Sequence, residues 1–349
     1  MDSKHQAKNV SHGKRKEEHL QISLNEHVEF KGVTTGFEEY RFVHQALPEI
    51  NLTDVDLSTV LFGKSLAAPI IISSMVGGIE AATRINRNLA QAAQALGLAM
   101  GVGSERCLVD EPGTGGTYQV RDIAPDILLF ANLGAVQLNY GYGVKECLRV
   151  VEAIGADALI LHLNPLQEAL QPEGNTNFAG LLNKIRLLCR ELPFPVIIKE
   201  VGGGISEEVA RKLAEAGVAG IDVAGAGGTC WSEIEKRRTT GRLANNVSEA
   251  FASWGIPTAE SVMMARRGAP ELPLIAGGGI RTGIDVAKAI ALGADAAGIA
   301  APLLKAANHS PEAVEESLKE TIETLRIAMF CIGTANISGL KFSPSLRKR

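Results

Sequence analysis

The sequence lacks strong net charge, paired cysteines and any long uninterrupted apolar run. Its 349 residues carry a formal charge of −4 at pH 7, which gives no indication of a nucleic-acid partner. The five cysteines are scattered with no CxxC pair, which disfavours both a disulfide framework and a zinc site. The longest apolar run, near residues 289–304, is interrupted by Asp295, so we expect no membrane span.

The rest of the composition is typical of a soluble globular protein, with 46% hydrophobic and 21% charged residues. Residues 1–19, MDSKHQAKNVSHGKRKEEH, are polar and contain no apolar core, unlike a secretory signal. We therefore expect a cytoplasmic protein with reduced thiols.

Short apolar runs, several of them followed by glycine, recur along the chain. They cover residues 69–74, 98–103, 127–134, 158–164, 195–201, 219–225, 273–279 and 295–301. Seven of them are apolar through most of their length instead of alternating. That pattern is typical of parallel strands covered on both faces.

Residues 84–97, 206–218 and 282–294 lie between these runs and have apolar residues at helical spacing. The second segment begins at a Ser206 cap, and glycines end the second and third. Eight strands alternating with helices predict one (β/α)8 barrel of the TIM type. A doubly wound sheet is the alternative, but eight units and no GxGxxG after the first strand disfavour it.

Three segments fall outside the barrel repeat. Residues 1–50 form a polar N-terminal extension, and residues 225–258 form a long connection after strand six, of the length found in lids and sites. Residues 337–349 look like a weakly ordered, flexible tail. The predicted barrel therefore covers residues 51–336.

Polar residues concentrate where the predicted strands end, which is the face of such barrels that carries chemistry. They are Ser73 and Ser74 after strand one, where Met75 follows, Ser104, Glu105 and Arg106 after strand two, Asn132 in strand three, His162, Asn164, Gln167 and Glu168 at strand four, Lys199 and Glu200 at strand five, Asp222 at strand six, and Arg281 after strand seven.

Two of these strand ends indicate anion binding. The turn AGGGIRTG (276–283) is glycine-rich and basic, and its backbone N–H groups suit a phosphate better than a plain tight turn requires. Lys199 closes the run PVIIK, where it could form a Schiff base, neutralise an anion or pair with Asp222 or Glu200.

Other candidates remain open on the residues alone. Arg106 could bind phosphate with Ser104 or form a surface ion pair. Cys230, in GAGGTCW, fits a small packing residue better than a thiol nucleophile, because no histidine lies within about twenty positions to activate it. The basic segment GKRKEEH (13–19) could be a solvated tail or could fold over the barrel mouth and present cations to an anion.

Taken together, the motifs resemble the type II isopentenyl diphosphate isomerases, which are FMN-dependent (β/α)8 barrels. The resemblance runs from residue 15 to about residue 301 and rests on RKEEH, SSMVGG, GVGSER, ANLG, HLNPLQE, IKEVGGGIS, AGAGGTCW, GGGIRTG and GIAAPLL. The combination is specific, whereas single glycine-rich pieces occur in other FMN barrels.

The resemblance implies an FMN site across the strand ends. Ser73, Ser74 and Met75 would contact the isoalloxazine, with hydrogen bonds from Ser104 and Asn132, and Lys199 would face its N1–C2=O edge. Thr229 would bind the cofactor from the long loop. The phosphate would be held by Gly279, Ile280, Arg281, Ala300 and Ala301.

The resemblance also implies a substrate site for isopentenyl diphosphate. Its diphosphate would meet Arg15, Lys16, His19, Ser104, Glu105 and Arg106. His162, Asn164 and Gln167 would form the catalytic wall, and Glu168 would bind Mg²⁺, which prefers carboxylate and phosphate oxygens. Val76 and Glu105 depart from the residues that are usual in the family.

The implied reaction moves a double bond by adding a proton at one end and removing one at the other. It is redox neutral, so reduced FMN would act in acid–base and electrostatic roles, with N5 or Gln167 carrying the proton. NADPH or a similar reductant would keep the flavin reduced. The N-terminal arm and residues 225–258 would close over the site, and we expect a homo-oligomer, a tetramer or octamer.

Three other functions share the barrel. An FMN-dependent 2-hydroxy acid oxidase needs a histidine base late in the barrel, but only His309 follows His162. An IMP-dehydrogenase-like enzyme would use Cys230 and NAD. A barrel that merely binds phosphorylated metabolites would not need so many ionisable groups on one face.

Overall fold

The eight predicted strands form a closed parallel barrel in chain order. The computed structural model describes residues 2–111 and 114–349, with side chains from residue 13 onward. The barrel strands are β1 Ile70–Ile72, β2 Ala99–Gly101, β3 Leu129–Gly134, β4 Ala158–Leu163, β5 Val196–Glu200, β6 Gly220–Asp222, β7 Leu274–Ala276 and β8 Ala296–Ile299. The predicted barrel is confirmed, and the doubly wound alternative is wrong.

Helices surround the barrel because each strand leads into an amphipathic segment that packs back onto the sheet. Their bounds are Glu80–Leu96, Arg106–Asp110, Val144–Ile154, Pro165–Leu170, Leu181–Glu191, Glu207–Glu215, Thr258–Gly268, Gly283–Ala291, Ala301–His309, Pro311–Phe330 and Ile337–Leu340. Four short 3₁₀ helices cover Phe37–Glu39, Leu52–Asp54, Thr114–Tyr118 and Ala135–Tyr140.

Local signals fix the helix ends where the sequence predicts them. Ser206 accepts a hydrogen bond from the Val209 N–H and caps Glu207–Glu215. Thr282 and Asp285 form a reciprocal capping box at the start of Gly283–Ala291. Gly97 ends Glu80–Leu96 in the left-handed region at φ +63°, where a side chain would be strained. Only β2 lacks a long helix after it, since Arg106–Asp110 has five residues.

The amino end of the barrel is closed by a hairpin. Strands Thr59–Leu61 and Lys64–Leu66 pair, and their buried leucines pack against inward-facing barrel residues such as Phe130 and Ile197. Phe62 at the hairpin tip meets Phe130 edge to face. The interior is thus filled with side chains, and the carboxyl end is the open end.

The polar extension begins with a long helix, Asp2–Asn25, and the following residues lie along the long loop. The backbone N–H of Phe30 bonds to Gly228 and that of Cys230 to Val28. The loop itself contains helices Trp231–Arg238 and Arg242–Ala250 before Thr258–Gly268 begins.

The prediction of a flexible C-terminal tail is wrong. Ile337–Leu340 is a helix with an Asn336 cap, and strand Leu346–Lys348 pairs with Tyr40–Phe42 of the extension. The sequence of residues 337–349 did not predict this ordered structure, because an edge strand in a two-stranded ribbon needs little apolar patterning. No helix in the described residues is both long and apolar enough to traverse a bilayer.

Candidate active site

A cavity of about 690 Å³ opens at the carboxyl end of the barrel. It is lined by nearly all the predicted site residues, which come from the eight strand ends, the N-terminal helix and the long loop. Those lining it are Arg15, Lys16, His19, Ser73, Ser74, Met75, Ser104, Arg106, Asn132, His162, Asn164, Gln167, Glu168, Lys199, Thr229, Gly279, Ile280, Arg281, Ala300 and Ala301.

One side of the cavity is built for an anion. Gly278 and Gly279 take φ values of +100° and +71°, and they lie against Gly228 so closely that a Cβ on Gly228 would stand 2.5 Å from the Gly279 nitrogen. The start of helix Ala301–His309 lines the same cavity as this turn, and a helix N-terminus offers unpaired backbone N–H groups to an anion. Arg281 extends over it and pairs with Glu29 at 2.7 Å.

Two serines after β1 form the adjoining wall. A Cβ on Gly298 would lie 2.4 Å from Ser73 Oγ, and one on Gly101 would lie 2.5 Å from Ser74 Oγ, so glycines on the neighbouring strands leave room for the hydroxyls. Ser74 Oγ is buried and has no hydrogen-bond partner. A flat polar ring such as isoalloxazine would satisfy this hydroxyl, and the residues therefore fit FMN.

Three polar side chains from β3, β4 and β5 lie together at the barrel mouth. His162 stands opposite Lys199 in the β4–β5 pair and opposite Gly134 in the β3–β4 pair, and its Nδ1 lies 2.8 Å from Asn132 Oδ1. Burial, then the charges of Lys199 and Lys16, lower the pKa of His162 to about 3. The ring is therefore neutral near pH 7, donating from Nδ1 and leaving Nε2 as an acceptor.

Lys199 both lines the cavity and pairs with an acidic residue. Its Nζ donates to the Glu200 carbonyl at 2.6 Å and lies 3.9 Å from Asp222 Oδ2. Asp222 also accepts hydrogen bonds from the Ala224 and Gly277 N–H groups. The structure is therefore compatible with two of the interpretations of Lys199 at once: it lines the barrel mouth, and it lies close to an acidic partner.

The segment HLNPLQE forms a polar wall because Pro165 begins a helix directly after β4. Asn164 Nδ2 donates to Gln167 Oε1 at 3.1 Å and to Glu168 Oε1 at 3.0 Å, while Asn164 Oδ1 is buried without a partner. The Glu168 carboxylate and this amide oxygen are hard ligands, which Mg²⁺ prefers. The part of the chain that the structure describes contains no cluster of three acidic, histidine or cysteine ligands.

The opposite side of the cavity is cationic. Lys16 Nζ donates to the Ser104 carbonyl and to the Tyr118 hydroxyl, each at 2.9 Å. Burial and then the charge of Arg106 lower the pKa of Arg15, and both arginines line the cavity. Arg106 also pairs with Asp110 at 3.1 Å. Cations held together in this way suit a multiply charged anion.

Glu105 is not a cavity residue, and the prediction that it contacts substrate is wrong. Its side chain is fully buried behind the wall, where Oε2 accepts a hydrogen bond from the Asn132 N–H at 2.8 Å. Burial raises the pKa of Glu105 well above its usual range, and Oε1 has no partner. The position of Glu105 next to Ser104 in the sequence suggested a cavity residue, but the chain turns at Ser104 and the Glu105 side chain points into the protein interior.

The long loop contributes residues that the sequence did not single out. Glu235 is fully buried, and its Oε1 lies 2.9 Å from His19 Nε2 and 3.5 Å from Gln167 Nε2. Trp231 lines the cavity and meets the His19 ring edge to face. Cys230, directly before Trp231, is buried outside the cavity, with its Sγ 3.0 Å from Ser232 Oγ. The interpretation of Cys230 as a packing residue therefore fits.

Comparisons with known proteins agree with this geometry. The model of the FMN-dependent dehydrogenase family matches residues 13–108 and 166–346. Two solved structures share the fold. A mandelate oxidase variant with an FMN adduct is 19% identical, with a TM-score of 0.62 over 95% of this chain and 92% of that one. A flavocytochrome b2 variant with pyruvate bound is 17% identical, with a TM-score of 0.69 over 94% of this chain and 82% of that one. At these identities the likeness concerns the fold alone.

Much higher identity is found with curated isopentenyl-diphosphate delta-isomerases. The relative from Nostoc is 53% identical over 96% of this chain and 95% of its own length, and that from Synechococcus is 54% identical over 95% and 96%. The chain therefore belongs to the isopentenyl-diphosphate delta-isomerase family, within the FMN-dependent dehydrogenase class of barrels. The predicted resemblance and the assignment as an isomerase are confirmed, and the class supports FMN as cofactor.

Proposed function

We propose that this chain catalyses the reversible 1,3-allylic isomerisation of isopentenyl diphosphate to dimethylallyl diphosphate, with reduced FMN and Mg²⁺ bound. The observation that carries this proposal is the pair of separate anion sites in one cavity. The glycine turn at Gly278 and Gly279 suits a flavin phosphate, and the cations Arg15, Lys16 and Arg106 suit a substrate diphosphate.

The polar wall of HLNPLQE lines the same cavity as the two anion sites. A substrate whose diphosphate meets Arg15 and Arg106 would extend its hydrocarbon part along Asn164 and Gln167 toward the serines after β1. Reduced FMN, when bound, supplies an electron-rich face for the developing tertiary cation and N5 as one candidate proton carrier. Gln167 is the other candidate, since its amide is fixed by Asn164 and Glu235.

Each remaining polar side chain has a positioning or charge role. Neutral His162 accepts a hydrogen bond at Nε2 without adding positive charge beside the cation. Lys199 would balance negative charge on the bound flavin. Glu168 and the free oxygen of Asn164 would hold Mg²⁺, which would supply positive charge for a diphosphate.

The resemblance also supports proposals about the protein in the cell. We expect NADPH or a similar donor to reduce the flavin, and a homo-oligomer, tetramer or octamer, in the cytoplasm. The expected partners include neither nucleic acid nor membrane.

The oxidase alternative shares the fold but lacks its base. His309 lies exposed at the end of helix Ala301–His309, outside the cavity. A 2-hydroxy acid would therefore find no imidazole late in the barrel to take its proton. The thiol of Cys230, which the dehydrogenase alternative needs, also lies outside the cavity.

The test is an anaerobic assay of the purified holoenzyme with isopentenyl diphosphate, Mg²⁺ and dithionite, followed by proton NMR. We expect dimethylallyl diphosphate to form only when the flavin is reduced and Mg²⁺ is present. Flavin reduction by a 2-hydroxy acid, with no isomerisation, would overturn the proposal.

A further inference from the structure

Arg238 joins three separate segments of the chain at the rim of the cavity. It is the last residue of helix Trp231–Arg238, and only 6% of its side chain is exposed. Its Nε lies 3.1 Å from Glu18 of the N-terminal helix, its Nη1 2.6 Å from Glu235, and its Nη2 3.6 Å from Glu173. A planar guanidinium can bind three carboxylates in fixed directions, which an ammonium cannot.

Each of the three carboxylates belongs to a segment that carries proposed site residues. Glu18 lies beside His19 on the N-terminal helix, and Glu173 follows the helix that carries Gln167. Glu235 uses its second oxygen to contact both His19 and Gln167. Arg238 itself does not line the cavity, so any effect on the reaction passes through these neighbours.

Arg238 offsets part of the negative charge of three carboxylates when the three segments are together. Burial opposes ionisation of Glu235, but the His19 hydrogen bond and the charge of Arg238 help to outweigh it and lower the pKa of that carboxyl. Without Arg238, Glu18, Glu173 and Glu235 would repel one another close to a site for a diphosphate. That repulsion would loosen the N-terminal helix on the long loop, where Ile22 still packs against Ile234 and His19 against Trp231.

We propose that Arg238 is a positioning residue that holds the N-terminal helix closed over the cavity and fixes His19 and Gln167 through Glu235. The proposal deepens the isomerase function and rests on it for its kinetic consequences. The closure itself is a property of the fold that can be measured without substrate turnover.

The test compares Arg238→Met with Lys236→Met in the FMN-loaded enzyme. Lys236 lies on the same helix and pairs only with Glu249, within the long loop, so its substitution removes an equal charge without freeing the N-terminal helix. We expect Arg238→Met to raise the KM for isopentenyl diphosphate at least about 10-fold and to lower kcat about 10- to 100-fold. Lys236→Met should stay within about 2-fold of the parent enzyme.

Limited trypsin digestion, followed by mass spectrometry, supplies the independent readout. Cleavage at Arg15 and Lys16 should accelerate in Arg238→Met, and also in Glu18→Gln, which weakens the contact of Arg238 with the N-terminal helix. Lys14 is left out of the comparison because it pairs with Glu18 itself. FMN content should not change, because the glycine turn lies across the cavity. Equal cleavage and kinetics in the arginine and lysine variants would overturn the proposal.

Two further experimental outcomes also bear on the proposal. If Arg238→Met loses FMN or fails to fold, Arg238→Lys decides: it keeps the charge but not the three-way geometry, so faster cleavage supports the proposal and parental cleavage contradicts it. If the parent enzyme shows no isomerase activity, the proposed function fails, and the cleavage comparison still tests the closure.

Discussion

The two ends of the barrel use buried polar groups in opposite ways. At the amino end, Arg121 and Arg266 have equivalent positions, and each donates to several backbone carbonyls. Arg121 also donates to Asp157, which precedes β4, and Arg266 donates to Asp295, which precedes β8. Those aspartates also accept the first N–H of β3 and β7. Every one of these groups is partnered within the chain.

At the carboxyl end, polar atoms are buried but left without partners. Ser74 Oγ and Asn164 Oδ1 have none, and the cationic side chains Arg15, Lys16 and Arg106 line the same cavity. An unpaired buried polar atom costs about 1–3 kcal/mol, and a bound ligand recovers that free energy. The comparison indicates that the amino end stabilises the barrel and that the carboxyl end gives up stability to bind ligands.

The largest expected effect is on activity, from a change at the carboxyl end. Glu168→Gln removes the carboxylate proposed to hold Mg²⁺, worth several kcal/mol, so kcat/KM should fall about 10³-fold. Steady-state assays across Mg²⁺ concentrations check this. Gln167→Asn is the matched variant, with kcat about 10²-fold lower and an unchanged Mg²⁺ requirement. Turnover that survives Gln167→Asn would remove Gln167 from the proton transfer.

A change at the amino end should affect stability instead. Arg266→Met leaves several carbonyls without their donor, while the half-buried Asp295 keeps Lys341 as its remaining ion-pair partner. The free energy of unfolding should therefore fall by about 1–3 kcal/mol in urea denaturation. Its neighbour Arg267 is more than half exposed and pairs with Glu207, so Arg267→Met should cost less than about 1 kcal/mol. A loss of kcat in the folded Arg266→Met enzyme would contradict the division between the ends.

The low pKa of His162, about 3, predicts a pH dependence of stability. The unfolded chain takes up the proton near pH 6.5, whereas the folded chain does so only near pH 3. The contribution of neutral His162 to the free energy of unfolding is therefore complete above pH 6.5. It falls by up to about 1.4 kcal/mol per pH unit as the pH is lowered toward 3. Urea denaturation at several pH values should show a shallower slope for His162→Gln than for the parent, and equal slopes would argue against a buried neutral ring.

The smallest effect is expected at Cys230. Cys230→Ala should leave isomerase activity within about 2-fold of the parent, because the thiol contacts Ser232 and not the cavity. Loss of activity, together with NAD reduction by a purine nucleotide, would instead support the dehydrogenase alternative.

The barrel was predictable from the sequence because its strands are continuous apolar runs and its helices carry caps such as Ser206 and Gly97. The cavity-lining residues were predictable because strand ends meet on one face. The roles of Glu235 and Arg238 were not predictable from the sequence. Their partners lie in segments about 60 to 220 residues away, and no local sequence pattern indicates such pairing. Glu105 was misplaced for the converse reason: adjacent residues at a turn need not face the same side.

The central claim is that the carboxyl end of this barrel is built to hold a flavin. The visible absorption spectrum of the purified protein, taken before and after addition of FMN, tests it most directly. We predict flavin bands that remain with the protein through gel filtration. A spectrum without those bands, even after incubation with excess FMN, would contradict the claim.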